Sequence, residues 1–117
     1  MKSMQNNLIA LKNTLLTVRN ASGNPVPVYH YLRPVNVQKD YIVWAEDSED
    51  ESFEANNAKQ EQQIHCTVDY FTQTEFDPAV DSIQDALNGD GIGFRLNSVQ
   101  YEDDTKLIHY EWEVWVS

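Results

Sequence analysis

Apolar residues near the start of the chain recur with the spacing of a helix. They stand at alternating steps of four and three residues, which places them on one helical face. The residues are Met4, Leu8, Leu11, Leu15 and Val18. This pattern predicts an amphipathic helix over residues 3–19. Asn, Ser, Gly and Pro crowd into residues 20–27, so the helix must end before them.

Five later segments have the short apolar runs or the period of two that strands show. Residues 28–32 give the weakest of these strands, since Pro34 confines it to a sheet edge or stops it early. Tyr41–Trp44 is apolar on both faces, which indicates burial on two sides. The remaining predicted strands are residues 61–72, 94–101 and 107–116.

The final strand has the clearest alternation in the chain. Its core face is predicted to carry Ile108, Tyr110, Trp112, Val114 and Val116. Its other face carries Leu107, His109, Glu111, Glu113 and Trp115. Trp112 is therefore expected in the core, whereas Trp115 is an exposed aromatic or a subunit-interface anchor. By the same argument Cys66 shares a face with Ile64 and Val68 and is a small buried hydrophobe.

Asp77 and Pro78 form a helix-start signal, because the carboxylate can accept backbone N–H groups while proline has none to lose. A helix over residues 78–88 is predicted, and residues 102–105 form a polar turn between the last two strands. A chain of 117 residues is too short to bury two separate cores. The prediction is one domain, residues 1–117, of the α+β class: a mainly antiparallel sheet of about five strands with two helices packed on it. The elements follow the order helix, strand, strand, loop, strand, helix, strand, strand.

Residues 46–57 combine many carboxylates with one large apolar residue, Phe53. Self-repulsion then outweighs any burial, which predicts a mobile acidic loop. Its acidic residues are Glu46, Asp47, Glu49, Asp50, Glu51 and Glu54. They lack the glycine and the terminal bidentate glutamate of a twelve-residue calcium loop, so a solvated loop, or one ordered by a partner, is favoured.

Charge and cysteine content exclude several classes of function. Eight Lys and Arg residues against 19 Asp and Glu give a net charge of −11, so the chain offers no broad basic face for nucleic acid. Cys66 is the single cysteine, which excludes an intramolecular disulfide and a multi-thiolate metal site. The sequence shows neither an apolar run of about 20 residues nor a signal-peptide pattern, so no membrane association is expected.

The three histidines do not have the spacing of a metal or catalytic motif. His30, His65 and His109 fall on three different predicted strands, and surface or packing roles are favoured for them. No catalytic, cofactor-binding or metal-binding residue is predicted, and no cofactor is expected.

Several segments resemble small tail proteins of long-tailed bacteriophages and prophages of Gram-positive bacteria. The nearest group is the tail terminator family, also called tail-completion or tail-to-head joining proteins. The resemblance spans about residues 40–116. It rests on Tyr41–Glu46, Ile64–Tyr70, Phe71–Pro78, Ser98–Thr105 and His109–Trp112, with the acidic segment between the first two.

The resemblance implies an α+β protomer that forms a hexameric ring, stops growth of the tail tube and later joins the tail to the head. Its partners would be copies of itself, the tail-tube protein and a head-completion protein. The protein would be assembled in the bacterial cytoplasm and reside in the virion at the head–tail junction. The family has no catalytic motif to transfer, so a non-enzymatic role is implied.

Under this resemblance the acidic loop, from Glu46 to Asn57, faces the ring lumen or the neighbouring tube ring. Its carboxylates repel phosphates, so DNA passes through the lumen without binding. Leu107, Trp115 or the helix of residues 3–19 would then form the apolar subunit interface that overcomes repulsion between copies.

Other functions stay open at this point. One is a head-completion or stopper protein, or another minor capsid or tail protein. A second is a small ligand-binding or hydrolytic domain that uses His65, His109 and tyrosines in a sheet cleft. A third is a DNA mimic that occupies a basic partner, as the net charge suggests.

Overall fold

The computed structural model describes residues 3–33, 35, 40–50, 54–55, 58–59 and 62–117. Within these residues it has two helices and a five-stranded, mostly antiparallel sheet, which confirms the predicted α+β class. The elements are α1 Met4–Leu15, β1 Val28–His30, β2 Tyr41–Glu49, β3 Glu54–Ala55, β4 Ala58–Lys59, β5 Ile64–Thr72, α2 Pro78–Leu87, β6 Ile92–Glu102 and β7 Leu107–Val116.

The strands of the main sheet follow the order β1-β2-β5-β7-β6. β1 lies parallel to β2, and every other neighbouring pair in this sheet is antiparallel. The short β1 lies at an edge, as the nearby proline predicted. β3 and β4 pair with each other as a separate two-stranded ladder.

α1 begins where Ser3 accepts a hydrogen bond from the Asn6 backbone N–H, at 3.3 Å from nitrogen to Oγ. It ends at Leu15, four residues earlier than predicted. The chain tightens there, because the N–H of Val18 donates to the carbonyl of Leu15. Val18 is still only 1% exposed. Val18 is therefore apolar because it packs in the core from the turn after α1, and not because the helix extends to it.

α2 agrees with its prediction to within one residue. Asp77 is its N-cap and accepts from the Ala79 N–H at 2.9 Å, and Pro78 is the first helical residue. Both helices pack on one face of the sheet, here called the inner face. The core between them includes Leu11, Leu15, Ile83, Leu87, Ile42, Val68, Trp112 and Val114, each fully buried. Trp112 and Cys66 are 0% exposed, which confirms both predictions.

The predicted acidic loop is wrong over its first four residues. β2 continues to Glu49 and pairs with β5 through a β-bulge between Glu46 and Ser48. Cross-strand hydrogen bonds and partners on β5 stabilise this extension, and neither is visible in the local charge density. Glu54 lies in β3, again in a strand, and Glu51 falls outside the described residues.

Two strands and one turn also differ from the predicted bounds. β6 is longer at both ends than residues 94–101. β5 begins at Ile64, and residue 61, where the predicted strand starts, lies outside the described residues. The turn that joins β6 to β7 occupies residues 103–106, one position later than predicted, and Lys106 adopts a φ of 61° there. In the described part of the chain, no helix has the length and apolar character required to span a membrane.

Candidate functional site

The face of the sheet opposite the helices, here called the outer face, carries polar and titratable side chains on its central and edge strands. Successive side chains of a strand point to opposite faces, so the residues between core positions point away from the helices. The outer face carries Asp47, His65, Thr67, Asp69, Arg95, His109, Glu111, Glu113 and Trp115.

His65 lies between two carboxylates on neighbouring strands. Its Nδ1 is 2.6 Å from Oδ1 of Asp47 on β2, and its Nε2 is 3.4 Å from Oε1 of Glu113 on β7. Asp47 also accepts from the Thr67 hydroxyl at 3.0 Å, and Glu113 pairs with Arg95 of β6. This network, the His65 cluster, therefore joins four adjacent strands.

The pKa values in the His65 cluster reflect these contacts. Burial disfavours the charged imidazole, but the hydrogen bonds and charges of Asp47 and Glu113 outweigh it and raise the pKa of His65. Burial also opposes ionisation of Asp47, yet hydrogen bonds led by His65 lower its pKa. The hydrogen bond from Arg95 lowers the pKa of Glu113. The outer face thus holds fixed negative charge beside a histidine that protonates readily.

His109 forms a second cluster on the outer face. Its Nε2 is 2.6 Å from Oδ1 of Asp69 on β5, and its Nδ1 is 3.5 Å from Oε2 of Glu102 on β6. The ring stacks on Phe71, with centroids 4.2 Å apart and planes inclined by 21°. The hydrogen bond to Asp69 raises the pKa of His109 against the opposing effect of burial.

His30 makes a comparable pair at the β1 edge. Its Nε2 is 2.7 Å from Oε1 of Glu46, and the Tyr31 hydroxyl donates to the other oxygen at 2.6 Å. The His30 ring stacks on Trp44, with centroids 4.0 Å apart. Burial opposes ionisation of Glu46, but the hydrogen bonds from Tyr31 and His30 lower its pKa. Glu46 is thus held as a carboxylate within its own chain.

The three histidines lie on three different strands, as predicted. The sequence did not indicate that each would contact a carboxylate. Alternation places His65 and Asp69 on the same strand face, but only the register brings His109 opposite Phe71 and beside Asp69. That register depends on pairings distant along the chain, so a local pattern cannot supply it.

Two pairs of reactive side chains, Cys66 with His65 and His65 with His109, are held apart in the sheet. Cys66 is fully buried on the inner face, where burial and the charges of Glu46 and Asp47 raise its pKa to about 12. His65 is its neighbour in the chain but lies on the outer face, so the two do not make a nucleophile–base pair. His65 and His109 are also far apart: His109 lies opposite Phe71, and the stretch of β5 from His65 to Phe71 spans about 20 Å.

The residues predicted to line a lumen or form an interface occupy several environments. Asp50 follows β2, and its N–H donates to the Gln63 carbonyl at 2.9 Å. Leu107 is 4% exposed and packs with Tyr41 and Phe71 of its own chain. Trp115 is half-buried and meets His65 edge-on at a centroid distance of 5.5 Å. Their roles in a lumen or an interface stay predictions.

One cleft opens beside the β6–β7 turn. It has a volume of about 510 Å³ and is lined by Arg33, Phe71 and residues 102–105. Arg33 donates to the Tyr41 hydroxyl at 2.9 Å, which fixes its guanidinium at the cleft wall. Carboxylates from the turn make the opposite wall acidic.

The raised pKa of His65 makes its contribution to stability dependent on pH. That contribution should be fully present below the unfolded-state pKa of about 6.5 and should be lost as pH rises through the folded-state value. The difference in unfolding free energy between wild type and His65→Gln is therefore expected to be larger at pH 5.5 than at pH 9, by up to about 1 kcal/mol. Urea denaturation at the two pH values measures it. A difference that stays constant with pH would contradict the proposed charge pairing.

Comparison of the chain with known protein families and with curated protein sequences finds no match.

Proposed function

We propose that the protein is a non-enzymatic structural subunit of a bacteriophage or prophage tail, of the tail terminator kind. In this role copies of the chain form a ring on the end of the tail tube. The ring ends tail elongation and provides the surface to which the head joins. The proposal rests on the resemblance of the strand and turn segments together with a surface suited to self-association.

The proposal is supported by the free edge of β6, which is the edge that does not pair with β7. This strand has 11 residues and ends the sheet, and among the described strands none pairs with its outer edge. Leu96, Val99 and Tyr101 on β6 are 43%, 49% and 58% exposed. Long apolar edge strands favour pairing with another chain. β6 carries Arg95 and a bulge between Leu96 and Ser98, but its three exposed apolar residues follow the arginine. An edge of this kind fits a subunit whose working state is an assembly.

Carboxylates held in place by hydrogen bonds support a role for the ring in letting DNA pass. Asp47 and Glu113, both on the outer face, have lowered pKa values and stay ionised at neutral pH. A ring that turns such groups toward its lumen repels DNA phosphates and lets the DNA slide. It also resists closure through repulsion between copies, so the subunit is monomeric at low concentration and closes when it meets the tube end.

The self-association is tested with one substitution on the β6 edge and one matched control. Val99→Lys places a charge in the apolar strip and should keep the protein monomeric at concentrations where the wild type forms rings. Phe76→Lys, at an exposed apolar position (89%) outside β6 and outside the helix predicted for the interface, should associate like the wild type. Light scattering coupled to size-exclusion chromatography gives the mass, and negative-stain microscopy shows the rings. If Val99→Lys associates as the wild type does, the β6 edge is not the assembly surface.

The biological role has a separate test. Tails assembled in cells that lack the protein should be irregular and overlong in electron micrographs, because nothing stops tube growth. Tails of normal length would contradict a terminator. Heads that lose their DNA without the protein would point instead to a head-completion protein.

A further inference from the structure

We propose that Asp69, His109 and Glu111 form a binding site for a divalent transition-metal ion of the Zn²⁺ type on the outer face of the sheet. The three side chains each offer one ligand atom, and these atoms lie within 4.8 Å of one another. An imidazole nitrogen and two carboxylate oxygens are a donor set that suits Zn²⁺. This inference does not depend on the proposed tail function.

The strand register creates the site. Asp69 of β5 and Glu111 of β7 are directly opposite partners, and His109 lies two residues before Glu111 on the same face. Two carboxylates placed opposite each other across a ladder repel, which destabilises the pair. A cation between them removes this repulsion. The strand register therefore brings two carboxylate ligand atoms within 4.8 Å of each other.

The three ligands are held in place by their surroundings. The His109 ring is stacked on Phe71, and its side chain is 21% exposed, like that of Asp69 at 20%. Glu111 accepts from the Asn97 side-chain amide at 2.5 Å through one carboxylate oxygen. Partial burial and these contacts reduce the conformational entropy that the side chains lose when they bind an ion.

The second nitrogen of His109 adds an independent indication. Nε2 faces Asp69, whereas Nδ1 lies 3.5 Å from a carboxylate oxygen of Glu102. Histidines that bind metals commonly have a carboxylate or carbonyl at the other ring nitrogen, which fixes the tautomer and makes the ligand more basic. Glu102 lies 3.5 Å from this nitrogen, on the side where such an outer partner is found.

The other two histidine clusters show why this one is singled out. At His65 the two carboxylates lie at opposite ring nitrogens, Asp47 at Nδ1 and Glu113 at Nε2, so they cannot converge on one ion. His30 contacts one carboxylate, which is shared with the Tyr31 hydroxyl. These clusters therefore provide control positions within the same protein.

With three protein ligands on an open sheet face, a tetrahedral ion keeps one position for water or for a donor from another molecule. One chain therefore supplies three ligands to the ion, and the fourth coordination position stays open on the outer face.

The test is calorimetric titration of Zn²⁺ into the full chain after removal of any histidine tag. The wild type should bind one ion per chain. His109→Ala should weaken binding by at least about 100-fold, since the loss of an outer partner already costs about 10–100-fold. Asp69→Asn, nearly identical in shape, should weaken it clearly while keeping the fold, which circular dichroism checks. His65→Ala should bind as the wild type does.

Thermal unfolding gives a second measurement that needs no calorimeter. Zn²⁺ in excess should raise the Tm of wild type and of His65→Ala, because an ion that binds the folded state stabilises it. It should leave the Tm of His109→Ala unchanged. Equal Zn²⁺ binding by wild type and both site variants, or Ca²⁺ binding as tight as Zn²⁺ binding, would overturn the proposal.

Discussion

Replacement of Asp77 by alanine is expected to lower the free energy of unfolding by about 4–7 kcal/mol. Asp77 is 6% exposed and caps α2 through the Ala79 N–H. Its other carboxylate oxygen accepts from the hydroxyls of Tyr70 at 2.6 Å and Thr72 at 2.7 Å. Loss of the cap costs about 1 kcal/mol, and each hydrogen bond to a charged group contributes about 1.5–3 kcal/mol.

The size of this effect comes from burial. Tyr70 and Thr72 are both 0% exposed, so in Asp77→Ala their hydroxyls would stay out of water without their acceptor. Burial and the hydrogen bond to Asp77 already raise the pKa of Tyr70, so it stays a protonated donor at neutral pH. Asp77 therefore joins the end of β5 to the start of α2.

Urea unfolding followed by tryptophan fluorescence measures the change, and Asp85→Ala is the matched control. Asp85 lies on the same helix and is exposed, so its replacement should change the unfolding free energy by no more than about 0.5 kcal/mol. If both variants lose similar stability, the buried carboxylate network is not what stabilises this corner of the fold.

Leu15→Ala should destabilise the protein by about 3–5 kcal/mol, while the same change at Leu16 should cost no more than about 1 kcal/mol. Leu15 is 0% exposed and packs in the core, whereas Leu16 is 47% exposed at the helix end. The removed atoms are identical in the two variants. The difference therefore measures what burial against the sheet contributes, free of any change in side-chain chemistry.

The same denaturation measurement decides this comparison. Equal losses at Leu15 and Leu16 would mean that α1 is rotated from the orientation described, or that it does not pack on the sheet. A larger loss at Leu16 would place the apolar seam on the opposite side of the helix. Both variants keep the N-cap Ser3 and the last-turn Lys12, so the end interactions of α1 are the same in each.

Much of the fold could be predicted because short-range periodicity records which side of an element is buried. The alternation of the last strand located Trp112 in the core, and Asp77 with Pro78 marked the start of α2. The prediction of an acidic loop is wrong over residues 46–49. The charge density of this segment indicated a loop, whereas the backbone bonds of β2 to β5 and the nearby His30 and His65 stabilise a strand.

The candidate sites were less predictable than the elements that carry them. The sequence put the three histidines on separate strands, and spacing rules found no motif among them. A motif search reads neighbours along the chain, but Asp69 and His109 are 40 residues apart and meet only through strand pairing. The contacts of His65 with Asp47 on β2 and Glu113 on β7 could not be predicted for the same reason.

The sequence by itself determined the class of fold, the helix start at Asp77, the burial of Cys66 and the acidic character of the surface, because each follows from the chemistry of neighbouring residues. Tertiary structure alone decided that β2 extends through Glu49, that β6 ends the sheet, and which carboxylate meets which histidine. Strand order and register set those features, and they are fixed by the burial of the whole inner face at once.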